Sequence, residues 1–323
     1  MNTSICTLFE GNYHHGLAAL TNSLYKNGFR GNVYAGYRGT LPNWSKSAIR
    51  CKIGEWENSS ILNVASGINI VFIPLVTEYH LTNFKPDFML ELLAGPEKDS
   101  DAIFYFDPDI CTVAPWSFFE KWIDYGVALC EDVNSPLPKH HPRRSGWREY
   151  FSKYNFVLKF RGTEYVNGGF IGVARRDFSF IELWQKLQLS MADDIGGLSA
   201  SSLDKSIASR GIDNINYYMF NKTDQDALNA AIEAYDAPTS IIGKEAMTFG
   251  QGQRAMSHAL GQPKPWQNNY IVSVLMGEPL DLRHKDYWHY CNQPIKTHSK
   301  LKCTSINFLL KISKLTSRLY GRR

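Results

Sequence analysis

The chain has no C-x-x-C pair, no long apolar run and, from Ile295 to Arg323, no acidic residue. Its six cysteines (Cys6, Cys51, Cys111, Cys130, Cys291 and Cys303) are scattered, several within apolar runs. That spacing excludes a zinc ribbon and suits reduced, buried thiols better than a disulfide framework. The opening MNTSICTLFEG has neither the basic start nor the apolar core of a secretory leader, and no stretch reaches the ~18 apolar residues of a membrane span. The expectation is a cytoplasmic location. No internal repeat is present, so no fixed-period architecture applies.

What is present is an ordinary enzyme composition of 323 residues, 44% hydrophobic and 20% charged. That length buries one large α/β core or two smaller ones. The net charge of +4 is misleading, because eight of the 35 Lys and Arg residues lie between Ile295 and Arg323. The remaining 27 basic residues face 31 acidic ones, so the body is mildly acidic and no nucleic-acid partner is expected.

Along the chain, SICTLFE reads as a strand, and Leu17, Leu20 and Leu24 recur at helical spacing until GFRGN stops the helix. NVYAGY and the β-branched run INIVFIPLV follow as strands, FKPDFMLELL as a helix and IFYF as a strand. A helix (PWSFFEKWIDY), two strands (VALCED and YVNGGFIGVAR) and two helices (DFSFIELWQKLQ and TDQDALNAAIEAY) complete the pattern. This order predicts one α/β domain with a mostly parallel central sheet flanked by helices over residues 1–290, and a helical tail over 291–323.

In FYFDPDI, Asp107 and Asp109 stand one residue apart at the end of a predicted strand. Ligands of open α/β sheets sit beyond the carboxyl ends of strands. Two such carboxylates can share a hard cation, Mn²⁺ or Mg²⁺, although Asp-Pro also begins ordinary turns. Pro108 fixes the φ between them. His258, remote in sequence, is a possible third ligand, and a structural histidine is its plain alternative.

Five segments in order across residues 1–270 resemble a GT-A-fold nucleotide-sugar glycosyltransferase, most similar to family 8. They are TLFEGNYHHGLAALTNSL, FYFDPDI, YVNGGFIGVARRD, TDQDALNAAI and HALGQPKPW. The resemblance implies a GT-A domain whose Asp107, Asp109 and His258 hold the metal. It places Thr7 and the Phe9 backbone on the nucleotide base, Tyr13 stacked on it, and Asn167 and Gly168 facing the sugar. Gly261 would let the backbone approach the diphosphate, and Lys264 would neutralise it. Lys85 has a similar possible role or belongs to a helix cap. Asp224 and Gln225 would bind donor hydroxyls and stabilise oxocarbenium-like charge. Capping by Thr223 or Asp224, with Asp226 in the first turn, is the structural alternative.

Residues 133–165 form a basic insertion with Lys139, Arg143, Arg144, Arg148, Lys153, Lys159 and Arg161. It reads either as an acceptor-facing loop for an anionic glycan or as a solvated basic surface. In the tail, Phe308, Ile312, Leu315 and Leu319 share one helical face, and Lys311, Lys314 and Arg318 lie mostly elsewhere. That pattern suits an anionic membrane surface, with packing back on the domain as the rival.

The expected activity is metal-dependent transfer of a hexose from a nucleotide diphosphate, UDP in the first instance, to a saccharide hydroxyl. The acceptor is expected to be anionic or lipid-linked and the outcome retaining. The protein would lie in the cytoplasm, peripheral on the inner membrane face. The alternatives are a haloacid-dehalogenase-like phosphohydrolase and a catalytically inactive glycan-binding scaffold. A related sugar nucleotidyltransferase is disfavoured because TLFEGNYHHG lacks a glycine-rich loop.

Overall fold

The computed structural model describes residues 1–201, 219–279 and 281–320, apart from the side chains of 315–320. A nine-stranded sheet forms its centre. In chain order the strands are β1 Thr3–Glu10, β2 Gly31–Arg38, β3 Ile49–Ile53, β4 Trp56–Ala65, β5 Ile68–Pro74, β6 Ala102–Phe106, β7 Ile110–Thr112, β8 Val127–Cys130, β9 Phe170–Ala174, β10 Thr239–Ile242 and β11 Met256–His258. The spatial order is β10-β8-β9-β6-β1-β2-β5-β4-β3, and β7 pairs separately with β11. β6, β1, β2 and β5 run parallel, as expected. β9 runs antiparallel between β6 and β8, and the β3–β4 hairpin is folded antiparallel onto β5.

That hairpin, over residues 49–65, is absent from the expected order. Its punctuation was legible: Gly54 (φ +55°) turns β3 into β4, and Gly67 (φ +82°) turns β4 into β5. Charged Arg50, Lys52 and Glu57 disguise the two strands at the sheet edge, where such residues discourage further pairing.

The helices are α1 His14–Lys26, α2 Lys85–Ala94, α3 Trp116–Trp122, α4 Pro142–Ser152, α5 Ser179–Ser190, α6 Thr223–Ala234, α7 Tyr270–Leu275, α8 Leu282–Tyr290 and α9 Lys300–Tyr320. One face of the sheet packs under α2, α4, α5 and α6 through Phe88, Trp147, Trp184 and Leu228. The other packs under α1 and α3 through Leu17, Leu20 and Phe119. Because both faces are covered, β6 is a continuous apolar run, and β1 is buried at every position before Glu10 rather than at alternate ones.

A third cluster, built from Trp266, Tyr270, Tyr287, Trp288, Ile306 and Leu310, joins α7, α8 and α9 to α1 through Ala19. Residues just past 290 are also bound to the body. Asn22 Nδ2 donates to the carbonyls of Tyr290 and Ile295, and its Oδ1 accepts from the amide of Ile295.

Candidate active site

A cleft of about 440 Å³ opens at the carboxyl ends of β1 and β6, lined there by Leu8, Phe9, Glu10 and the Asp107–Asp109 turn. The turn is clamped from below. A Cβ on Gly16 of α1 would lie 2.4 Å from the Pro108 carbonyl oxygen, so only glycine lets the helix approach the two carboxylates this closely.

The antiparallel sense of β9 brings its leading loop, Asn167-Gly168-Gly169, to the same edge. Phe106 pairs with Phe170, and the Asp107 amide donates to the Gly169 carbonyl at 2.7 Å. β7 follows the turn directly and pairs antiparallel with β11, placing His258 opposite Ile110. The amide of Ala259 then donates to the Asp109 carbonyl at 3.1 Å. His258 Nε2 consequently lies 3.3 Å from Asp109 Oδ1 and 3.9 Å from Asp107 Oδ2.

The three side chains offer ligand atoms that all lie within 4.8 Å of one another. The space between them is kept free: a Cβ on Gly169 would come within 2.6 Å of His258 Cε1 and 2.8 Å of Asp107 Oδ2. Two carboxylates and an imidazole around a cradle that one methyl group would fill fit a hard divalent cation.

Two lysines bind these carboxylates. Lys264 Nζ lies 2.5 Å from Asp109 Oδ2 and donates to the Ala259 carbonyl at 2.7 Å. Burial works against the charge on Asp109, yet His258 and Lys264 outweigh it and hold the carboxyl below the usual range. Lys85 Nζ donates to the Gly168 carbonyl at 2.8 Å and Asp224 Oδ2 at 2.9 Å, and lies 3.2 Å from Asp107 Oδ1. Burial disfavours its ammonium, but Asp107 and Asp224 reverse that and raise its pKa. Lys85 thus joins the metal-site carboxylate to the helix opposite. Neither a simple cap nor a free point charge describes it.

That opposite wall is the first turn of α6. The capping expectation is corrected here: the N-cap is Lys222, with no side-chain cap bond. Thr223 Oγ1 donates to Asn83 Oδ1, Asp224 faces Lys85, and Asp226 Oδ2 reaches back to accept from the Lys222 amide. Asp224 and Gln225 are therefore free of capping and line the cleft. Gln225 Oε1 accepts from the Gly168 amide at 3.0 Å, and its Nε2 is buried without a hydrogen-bond partner. A Cβ on Gly168 would lie 3.0 Å from Asp224 Oδ2, so glycine again sets the approach.

The remaining expected residues divide. Tyr13 lines the cleft, edge-on to Trp266 at 5.6 Å. Gly261 has φ +77° and open space around it, as a backbone exposed to a ligand requires. Phe9 presents its backbone, while its ring stacks on Tyr37 in the core. Thr7 lies within β1 between β2 and β6, fully buried and not among the residues that line the cleft.

Asn167 lies at the cleft, but its amide is engaged: Nδ2 donates to Asp132 Oδ2 at 2.6 Å and Oδ1 accepts from the Gly169 amide. Asp132 is a residue the sequence reading passed over. It follows β8, which runs parallel to β6, so its position in VALCED repeats that of the aspartates in FYFDPD. Tyr105, whose hydroxyl donates to Asp107 Oδ1 at 2.9 Å, and Gly169 were missed as well.

The basic insertion is divided: Arg144 is buried, Arg143 and Arg148 are half-buried, and Lys139, Lys153, Lys159 and Arg161 are exposed. Arg144 and Arg148 both pair with Glu233, a fully buried carboxylate of α6, and Arg143 lies over the Tyr165 ring. Arg161 and Lys159 pair with Asp236. A second cavity of about 680 Å³ adjoins the cleft, sharing Leu260 and Gln262 with it, and is lined by Phe249, Tyr270, His284 and Leu310.

No family model and no curated protein matches the chain. Solved structures do. The glycosyltransferase GlyE of Streptococcus pneumoniae TIGR4 shares 12% identity and a TM-score of 0.47, over 96% of this chain and 64% of its own. The galactosyltransferase LgtC, solved with donor and acceptor sugar analogs, shares 14% identity and a TM-score of 0.48, over 94% of this chain and 99% of its own. The bifunctional glycosyltransferase WbbM shares 12% identity and a TM-score of 0.47, over 95% of this chain and 52% of its own.

Proposed function

We propose that the chain is a metal-dependent, retaining glycosyltransferase that moves a hexose from a UDP-sugar to a saccharide hydroxyl. One observation carries the reading. A single cleft holds Asp107, Asp109 and His258 on one wall and Asp224 and Gln225 on the other, with Lys264 and Gly261 beside the metal ligands.

Bound there, Mn²⁺ or Mg²⁺ supplies Lewis-acid neutralisation of a departing diphosphate. Tyr13 and the Phe9 backbone receive the base. With a cation on Asp109, Lys264 would be free to meet the diphosphate oxygens. Gln225 lines the cleft beside the sugar, and Asp224, fixed by Lys85, stabilises positive charge on the anomeric carbon. Asp224 and Gln225 are the only protein groups the reading places near that carbon. A same-face substitution is therefore favoured over a covalent intermediate. The acceptor enters from the adjoining 680 Å³ cavity.

The test is Mn²⁺-dependent UDP release from a panel of UDP-hexoses, with product stereochemistry read by NMR. Release that is abolished by Asp109→Ala supports the reading. An inverted product removes the retaining assignment, and absence of turnover with every donor leaves a binding scaffold.

A further inference from the structure

We propose that α7 and α9 together form a docking face for an anionic lipid surface. Seven of the fifteen large apolar side chains exposed among the described residues lie between Ile271 and Phe308. Four of them belong to one short helix and its end: Ile271, Val272, Leu275 and Met276 are 60, 49, 70 and 70% exposed. Positions i, i+1, i+4 and i+5 stand on one side of a helix, so these four form an outward apolar face. Scattered single apolar residues are normal on a soluble surface, but a concentration of this kind marks an interaction site.

α9 lies against α7. Its inward face is Ile306, Leu310 and Ser313, whose hydroxyl donates to the Glu278 carbonyl at 2.6 Å just beyond α7. Leu301 and Phe308, seven residues apart and 81 and 63% exposed, share its outward side. The helix thus packs back on the domain and still presents apolar groups. The expected face is divided: Phe308 is outward, Ile312 is half-buried, and the side chains of Leu315 and Leu319 lie outside the described residues. Lys300, Lys302 and Lys311 are exposed alongside.

Charge selects the occupant. Residues 295–323 hold eight Lys and Arg and no Asp or Glu, so a second copy seated on this face would set like charges against each other. Anionic headgroups complement the lysines while the apolar side chains enter the acyl boundary. No helix among the described residues is long and apolar enough to cross a membrane, which leaves surface docking.

The experiment is co-sedimentation of the full chain with vesicles of phosphatidylcholine alone or mixed with phosphatidylglycerol, at low and high salt. Point variants are preferred to removal of residues past 290, which would strip Asn22 of its partners. Binding to the anionic vesicles is expected to exceed binding to neutral ones by about tenfold or more and to collapse in high salt. Leu275→Ser with Met276→Ser, and separately Lys300→Glu with Lys311→Glu, should each weaken it by about tenfold, with UDP release and melting temperature retained. Equal binding to both vesicle types, or unchanged binding by the α7 variant, overturns the proposal. So does a dimer in light scattering that the α7 variant dissolves. UDP release is read separately, so failure of the transferase reading remains distinguishable.

Discussion

His258 Nε2 sits 3.3 Å from Asp109 Oδ1 because the strand that follows Asp109 is paired with the strand that ends at His258. A two-stranded ribbon of three residues on each side carries the imidazole, the Phe249 ring lies 5.7 Å from it, and the Asp109 carbonyl accepts from the next amide, that of Ala259. The side chains that could hold a cation, Asp107, Asp109 and His258, are thus positioned by backbone hydrogen bonds.

Removing Asp109 tests both roles of its carboxylate. Asp109→Ala should weaken Mn²⁺ binding by at least about tenfold in calorimetry. It should also lower metal-free stability by about 3 kcal/mol in denaturant melts, because buried Lys264 loses its partner.

Gly169→Ala adds one methyl group to the cradle, 2.6 Å from His258 Cε1. Metal binding should be lost for about 1–3 kcal/mol of stability. Gly261→Ala meets no neighbour and should show only the backbone cost of its positive φ, roughly 1 kcal/mol, with metal affinity retained.

Lys85→Met leaves Asp107 and Asp224 without their shared cation. The expected outcome is a fall in kcat of about 100-fold or more in the UDP-release assay. Tight metal binding should persist, since all three ligands remain.

Arg144→Ala distinguishes acceptor recognition from structure. Arg144 and Glu233 are both buried, so the variant should lose about 3–5 kcal/mol whatever acceptor is supplied. A change confined to KM for the acceptor would instead assign the insertion to substrate.

A stacked pair, His15 and His298 with ring centroids 4.9 Å apart, predicts acid sensitivity. Burial, then neighbouring His14, His298 and Lys302, lowers His15 to about 3; burial, then Lys302 and His14, lowers His298 to about 4. Both are neutral in the fold and ordinary when unfolded. Their contribution is therefore complete above pH ~6.5 and is lost as pH falls through ~6.5 toward those lowered values. Melting temperature should drop between pH 7 and pH 5. His15→Phe, which keeps a ring in the stack, should remove part of that drop, about 1 kcal/mol after allowance for solvent screening at a half-buried site.

Much of the site was legible in local pattern. Asp107 and Asp109 were found because an apolar run ends at them, and Asp224 and Gln225 because a helix begins at them. Lys85 was found without its partners, which lie in the turn after β6 and in the first turn of α6 and meet only when the sheet closes. Thr7 was read from its place near the end of β1, and its burial is set by the neighbouring strands β2 and β6. Asp132 and Gly169 escaped because a carboxylate after a strand and a second glycine in a loop are common, and only their contacts distinguish them.

The sequence by itself determined the alternation of strands and helices, the acidic turn after β6 and the basic, acid-free tail, because each is written in the periodicity or chemistry of adjacent residues. Tertiary structure decided the rest. β9 is antiparallel, so its Asn-Gly-Gly loop reaches the Asp107 edge. Arg144 and Arg148 of the insertion turn inward to a buried Glu233, and α9 packs by Ile306 and Leu310 while Phe308 faces out. Strand direction, ion-pair choice and helix rotation depend on residues far apart in sequence, and burial selects among arrangements that local pattern leaves equal.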